Sequence, residues 1–151
     1  MSDVNLSLFD LFSIGIGPSS SHTVGPMKAA LDFVQSLPSS AITKQLAIKV
    51  DLYGSLALTG EGHGTLKAIM LGLEGDSPEA VNVASIPKRL ETIETKHQLN
   101  VNQTQRIAFD PKQAIVLHKD HALKEHPNGL TISAFLHGQC VQEMTYFSVG
   151  G

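Results

Sequence analysis

The strict alternation of apolar and polar side chains over residues 46–53 constrains the fold of this chain more than any other feature. Every second position is apolar, and this set is Leu46, Ile48, Val50 and Leu52. Successive side chains of a strand point to opposite faces, so the spacing predicts a strand with one buried face. Such a face must be covered by other elements, and the segments on either side of the strand are the first candidates.

Amphipathic helices are predicted on both sides of that strand. Before it, apolar residues recur at helical spacing over residues 24–34, in a helix that begins at residues 22–25 and ends at residues 37–40. After it, residues 66–73 repeat the pattern, with Gly75 as the C-terminal cap. Both helices could pack on the apolar face of the strand.

A third helix and a run of strands are predicted for the second half of the chain. The helix runs from Ser85, its N-cap, to Ile93. Strands are predicted at residues 106–109, 114–118, 130–137 and 140–149. Gly138-Gln139 would form a two-residue hairpin loop with glycine first. The 151 residues therefore predict a single α+β domain, a mixed β-sheet with helices packed on one face.

Composition excludes several classes of function. The formal net charge is −3 with the signs well mixed, so no basic stripe indicates a nucleic-acid partner. No apolar run is long enough to cross a bilayer, and residues 1–10 lack the Lys or Arg typical of a secretory signal. Cys140 is the only cysteine, which excludes an internal disulfide and a self-contained iron–sulfur site and favours a cytoplasmic protein.

The first candidate site is the glycine- and serine-rich stretch before the first helix. Its glycines allow a ligand to approach the backbone, and its polar side chains are Ser19, Ser20, Ser21, His22 and Thr23. The first amides of a helix lack internal partners and carry the positive end of the dipole, so this turn can hold a carboxylate or phosphate. The alternative is a capped turn whose hydroxyls satisfy only the helix end.

The second candidate is His63, which lies between Gly62 and Gly64 where the next helix is predicted to begin. Histidine titrates near neutral pH and could serve as a general acid or base. The alternative is a surface histidine beside a glycine-rich turn. If the two helices pack side by side on one sheet face, their N-termini could bring His63 and His22 together.

The third candidate is a metal site formed by His118, His121 and His126. Histidines three residues apart can bind zinc on a helix, but these are predicted at a strand end and in a loop. Because lysines are interleaved and no cysteine accompanies them, we favour a solvated loop over a metal site. His97 and His137 have no partners in sequence and receive no role.

Three stretches of the chain carry longer motifs. The first is Ser-Leu-Phe-Asp-Leu-Phe at residues 7–12, followed by Gly-Ile-Gly-Pro-Ser-Ser-Ser-His-Thr-Val-Gly-Pro at residues 15–26. The second is Asp-Leu-Tyr-Gly-Ser-Leu at residues 51–56, followed by Gly-His-Gly-Thr at residues 62–65. The third is Tyr-Phe-Ser-Val-Gly-Gly at residues 146–151. With these motifs, nearly the whole chain resembles the bacterial iron–sulfur L-serine dehydratases.

The resemblance implies a two-part enzyme that converts L-serine to pyruvate and ammonia, with this chain as its N-terminal β part. A cluster-bearing part, fused or separate, would hold a four-iron–four-sulfur cluster, one iron of which acts as a Lewis acid on the substrate hydroxyl. This chain alone would bind no cluster and would be inactive. The β part also resembles an allosteric serine-linked domain of some phosphoglycerate dehydrogenases, which implies the same α+β fold. A homodimer is expected.

The resemblance also assigns roles to residues. Ser19, Ser20, Ser21, Thr23 and Gly64 would bind the serine substrate. His63 would be the general base for the Cα proton, with His22 as its partner or orienting group. Relatives often carry an acid where this chain has Leu66; if that acid orients or tunes the histidine, this chain must do so in another way. Two rival hypotheses stay open: a serine-sensing regulatory module without a direct role in chemistry, and a structural dimerisation domain.

Overall fold

The computed structural model of this chain describes residues 23–59, 64–120 and 129–147. In chain order, its helices and strands are α1 (Gly25–Ser36), β1 (Ala47–Tyr53), α2 (Ser55–Thr59), α3 (Thr65–Leu73), α4 (Ile86–Lys96), β2 (Gln98–Val101), β3 (Gln105–Ala108), α5 (Pro111–Ala114), β4 (Ile115–His118), β5 (Gly129–Leu136) and β6 (Gln139–Phe147). Single turns of 3-10 helix occur at Ser39–Ala41 and Val83–Ser85. Within the described ranges, no helix is both long and apolar enough to cross a membrane.

Four strands form one mixed sheet in the order β4-β1-β5-β6, and β2 and β3 form a separate antiparallel pair. β1 runs parallel to β4 and antiparallel to β5, while β5 and β6 form an antiparallel hairpin. A tight turn cannot join two parallel neighbours, and the chain from α2 to α5 provides the crossover between β1 and β4. The predicted α+β fold with a mixed sheet is therefore confirmed.

The core lies between one face of the sheet and helices α1 and α3. The alternation predicted for β1 is confirmed, because Ile48, Val50 and Leu52 are buried in this core. The two helices pack closely where Gly72 of α3 meets α1, since a Cβ added at Gly72 would overlap the carbonyl oxygen of Met27. That neighbour is backbone and cannot move aside, so only glycine allows this approach.

A buried ionic cluster, the Arg89 brace (Glu74, Asp76 and Arg89), ties α4 to the end of α3. Arg89 donates from Nε at 3.0 Å and from Nη2 at 2.9 Å to Glu74 Oε1, and its Nη2 lies 2.6 Å from Asp76 Oδ2. The second oxygens accept from Asn100 N at 2.8 Å and from Gln103 Nε2 at 3.3 Å. Burial lowers the pKa of Arg89, but its interactions with Asp76 and Glu74 outweigh burial and raise it. Asp76 Oδ2 is the one buried oxygen of the brace that has the ion pair with Arg89 and no hydrogen bond to a described group.

Three elements, α2, α5 and β2, were not predicted from the sequence. The helices have five and four residues, and the strand has four. A helix of one turn is too short to repeat an apolar position, and β2 pairs only with β3, outside the main sheet. The missed elements all belong to the crossover between β1 and β4.

One local prediction is confirmed and another is wrong. Ser85 is the N-cap residue of α4, as predicted, but its side chain makes no capping bond, because its hydroxyl donates to the Asn82 carbonyl at 2.7 Å. Asn82 itself caps that turn through its side chain. The β5–β6 turn is His137-Gly138 rather than Gly138-Gln139, with φ of 52° and 80°. Positive φ at both central residues defines the type I′ turn, which matches the twist of hairpin strands.

Candidate functional site

Most of the predicted site residues lie outside the described ranges: they are Ser19, Ser20, Ser21, His22 and His63. Thr23 and Gly64, the other two predicted substrate-binding positions, are described. Gly64 stands immediately before α3, and Thr23 stands two residues before α1, with the N-cap Val24 between them. These two positions fix where the two predicted loops enter the fold.

Thr23 is fully buried at the start of the segment that leads into α1. Val24, the N-cap of α1, already has helical backbone angles and makes no side-chain cap. The first amides of a helix have no partners within it and carry partial positive charge. The end of α1 next to Thr23 therefore has the polarity that the predicted carboxylate site requires.

Gly64 is the N-cap of α3 and has φ 75° and ψ 8°, the left-handed conformation. Glycine adopts this conformation without steric cost, whereas a residue with a side chain rarely does. Thr65 and most of α3 behind it are buried, so the core fixes this helix end. The backbone alone thus requires glycine at this position, whether or not a ligand contacts it.

The contact between the two helices lies at the start of α1 and at the end of α3. Gly72, in the last turn of α3, meets Met27 and Ala30 of α1. Because an α-helix rises about 1.5 Å per residue, about 12 Å along α3 separates this contact from Gly64. That the two helix N-termini lie together stays a prediction.

A groove between α3 and β4, the α3–β4 groove, opens beside Gly64. Its volume is about 680 Å³, and its lining includes Gly64, Leu66, Lys67, Met70, Val116 and Leu117. β4 is an edge strand, so its outer side has no neighbouring strand in the sheet. Leu66, at the position where an acid is expected from the resemblance, contributes an apolar wall and offers no carboxylate.

The arrangement of Asp51, Tyr53 and His118 was not foreseen from the sequence. Tyr53 of β1 is the register partner of His118 of β4, and Asp51 lies two residues before Tyr53, so all three share the sheet face opposite the helices. Asp51 Oδ1 lies 2.7 Å from His118 Nε2. The Tyr53 ring stacks on the imidazole, with centroids 4.6 Å apart and planes 8° apart. Asp51 is only 8% exposed.

The surroundings of this group make His118 the main partner of Asp51. Lys49 Nζ lies 3.6 Å from Asp51 Oδ1, but its side chain is 49% exposed, so solvent screens the attraction. Burial, and then the negative charges of Asp51 and Glu143, raise the pKa of Tyr53. The Tyr53 phenol therefore stays neutral at physiological pH and provides a flat uncharged surface for the imidazole.

The residues of this chain do not fit an iron–sulfur cluster. Cys140 is the single cysteine, it is exposed on β6, and such a cluster takes several thiolates. In the part of the chain that the structure describes, no three His, Cys, Asp or Glu side chains are grouped to hold a metal ion. Of the three histidines predicted as a metal candidate, only His118 is described, whereas His121 and His126 lie outside those ranges.

Comparison with known proteins points to one family. The family model described as serine dehydratase beta chain matches residues 7–151. An L-serine dehydratase of Streptomyces coelicolor is 51% identical over 148 residues, and L-serine dehydratase 2 of Escherichia coli K12 is 43% identical over 148 residues. An L-serine dehydratase of Helicobacter pylori is 37% identical over 149 residues. Each match covers 97% of this chain and 32% of the relative, so the chain spans about a third of their length.

Proposed function

This chain belongs to the serine dehydratase beta-chain family, and we propose that it is the substrate-facing part of an L-serine dehydratase, which converts L-serine to pyruvate and ammonia. The observation that carries the proposal is the match to proteins of that name over 97% of this chain. Both glycine-rich turns lie inside the matched residues 7–151. Because the relatives are about three times longer, the activity would belong to an assembly in which another part completes the site.

In this proposal, the first turn binds and orients the substrate. The hydroxyls of Ser19, Ser20, Ser21 and Thr23, with the first amides of α1, would hold the serine carboxylate. The buried position of Thr23, two residues before α1, supports this role, because a ligand held there would be shielded from solvent. Binding of the carboxylate at this turn would fix the direction in which the Cα proton points.

His63 would take the Cα proton, with His22 as its partner or orienting group. This proton is weakly acidic, so a base must lie within hydrogen-bond reach of it. The support is Gly64, the residue that follows His63. Gly64 is the left-handed N-cap of α3 and lines the α3–β4 groove. That groove of about 680 Å³ has room for a substrate as small as serine.

The cluster, the oligomeric state and the location of the enzyme are proposed from the single cysteine of this chain and from its exposed edge strand. A four-iron–four-sulfur cluster would be held by the separate cluster-bearing part, since this chain has one cysteine. β6 is an exposed edge strand of nine residues, which supports a homodimer. A single unpaired Cys140 supports a reducing, cytoplasmic location.

Pyruvate formation from L-serine tests the proposal. The chain would be assayed alone and after anaerobic assembly with its cluster-bearing part, and only the assembly is expected to form pyruvate. Cys140→Ser in this chain is the matched control, and it should leave both the iron content and the turnover of the assembly unchanged. Pyruvate formed by the cluster-free chain, or none formed by a fully iron-loaded assembly, would contradict the proposal.

A further inference from the structure

Leu58 is the most exposed large apolar side chain among the residues that the structure describes, at 65%. It lies in α2, whose neighbouring residues Leu56 and Ala57 are buried in the core. The other exposed large apolar side chains of the described ranges are Val83 at 45% and Val141 at 41%. Single exposed apolar residues are common, so a docking role requires that such a residue belong to a larger apolar surface.

Of these three residues, Leu58 is the one whose element shares a neighbour with the α3–β4 groove. Helix α2 packs against β1 and β4, at the edge where these two parallel strands end. β4 is also one wall of the groove, which Leu117 near its end lines. By contrast, Val83 lies in the 3-10 turn before α4, and Val141 lies in β6 at the opposite edge of the sheet.

The α3–β4 groove has the composition of a protein contact surface. Its apolar lining from both walls includes Leu66, Val116 and Leu117. Exposed charged side chains of both signs also line it, and these are Lys67, Glu94 and Lys112. An apolar centre with a charged, solvent-accessible rim is typical of protein–protein interfaces. β4 has no strand on its outer side among the described residues, so a partner could cover this edge as well.

The length of the relatives and the position of the proposed base indicate which partner would dock here. This chain spans 32% of each relative, so the larger part of an L-serine dehydratase lies outside it. In the sequence, His63 stands between the exposed Leu58 and Gly64, which lines the groove. A base must come within hydrogen-bond reach of its substrate, and the substrate would be bound to the cluster. The cluster-bearing part must therefore approach the end of the sheet that carries α2 and Gly64.

We propose that Leu58 and the α3–β4 groove form the docking surface for the cluster-bearing part of the enzyme. Leu58 and the apolar lining of the groove would contact apolar side chains of that part. Lys67, Glu94 and Lys112 would face charges of opposite sign at the rim of the contact. Docking here would also close the substrate site against water, which strengthens the electrostatic interactions within it. This inference rests on the proposed function as an L-serine dehydratase.

Thiol labelling of the iron-loaded assembly tests whether Leu58 is covered. Leu58→Cys and, as the matched control, Val83→Cys would each be made with Cys140→Ser, so that this chain carries one thiol. Each assembly would be treated anaerobically with N-ethylmaleimide, and mass spectrometry would follow labelling of the substituted peptide. Exposure in this chain is greater at position 58 than at position 83, so without a partner Leu58→Cys would label at least as fast. In the assembly, we expect it to label about tenfold more slowly or less, because only accessible thiols react.

Photo-crosslinking identifies what covers the groove. The photoreactive amino acid p-benzoylphenylalanine would replace Lys67, an exposed residue that lines the groove, and in a control assembly it would replace Val83. After irradiation of each iron-loaded assembly, mass spectrometry would assign the crosslinked peptides. We expect position 67 to be crosslinked to the cluster-bearing part and position 83 not to be. This readout works whether that part is fused to this chain or separate from it.

The inference is overturned if Leu58→Cys is labelled in the assembly as fast as Val83→Cys. It is also overturned if position 67 is crosslinked only to copies of this chain or to no polypeptide. Either result, obtained while the unmutated assembly forms pyruvate from L-serine, would remove this inference and leave the proposed function intact. If the unmutated, iron-loaded assembly forms no pyruvate, the proposed function fails and this inference fails with it.

Discussion

The Arg89 brace and the Asp51–His118 pair both bury carboxylates, but they differ in how their polar groups are bonded. In the Arg89 brace, three of the four oxygens of Glu74 and Asp76 accept a hydrogen bond, and the fourth, Asp76 Oδ2, has an ion-pair contact with Arg89 Nη2 at 2.6 Å. In the Asp51–His118 pair, the histidine has a second nitrogen with no bond to any group in the described part of the chain. Burial is similar, at 4% and 6% exposed for the brace carboxylates and 8% for Asp51.

The comparison teaches that burial of a charge does not by itself indicate a functional site. A closed cluster holds elements together, and its loss should be measured as lost stability. A cluster in which one ring nitrogen has no bond to a described group can contact a ligand, and its loss should be measured as lost affinity. The two clusters can therefore be distinguished by which of the two quantities a substitution changes.

Arg89→Ala is expected to have the largest effect on stability. It would leave Glu74 and Asp76 buried without their cation, which typically lowers the free energy of unfolding by about 3–5 kcal/mol. Chemical denaturation of the chain at neutral pH would measure the loss. Arg106→Ala is the control, because Arg106 is an exposed arginine of β3 that lines the same pocket as the three residues of the brace; it should change stability by less than about 0.5 kcal/mol. A loss below about 1 kcal/mol for Arg89→Ala would show that the brace is not structural.

Matched amide substitutions in the two clusters should lower stability by different amounts. Glu74→Gln places amide hydrogens against the donors of Arg89 and is expected to lower stability by about 2 kcal/mol. Asp51→Asn keeps an oxygen for His118 Nε2, so its stability loss should be less than about 1 kcal/mol. Equal losses of stability in the two variants would contradict the distinction between the clusters.

Asp32 and Tyr146 form a third, closed pair, in which the Tyr146 hydroxyl donates to Asp32 Oδ2 at 2.8 Å. Burial, and then the bond to Asp32, raise the pKa of Tyr146 above its unfolded value. The unfolded chain ionises first, so this contribution to stability is full below about pH 10 and is lost as the pH rises further. The loss is at most about 1.4 kcal/mol per pH unit. The free energy of unfolding, measured with urea between pH 9 and 11, should fall less steeply with pH in Tyr146→Phe than in the unmutated chain. Equal slopes in the two proteins would contradict the assignment.

The fold could be predicted from the sequence where its signal is local and repeated. β1 alternates over seven residues, and helices α1 and α3 repeat their apolar positions over several turns. The Arg89 brace joins residues 15 positions apart, and no periodic pattern marks such a contact. The hairpin turn was misplaced by one residue because glycine is favourable at either central position, and the register of β5 and β6 decides between them.

In the candidate site, too, the sequence reveals continuous motifs but not contacts between residues that are distant along the chain. The motifs around His63 and His22 can be found in the sequence because each is continuous. Asp51 and His118 are separated by 67 positions and become neighbours only because β1 and β4 pair in parallel. The alternation of β1 placed Asp51 on the polar side, where exposure is the usual expectation, and His118 buries it there. A carboxylate in the middle of a central strand was the one available signal.

Turnover of the assembled enzyme with His63→Ala at saturating L-serine tests the proposed function most directly. With iron content and unfolding midpoint unchanged, we predict that kcat falls by at least about 100-fold, the usual contribution of a general base. If kcat survives and only the dependence on serine concentration changes, this domain is a serine-sensing module and not part of the catalytic site.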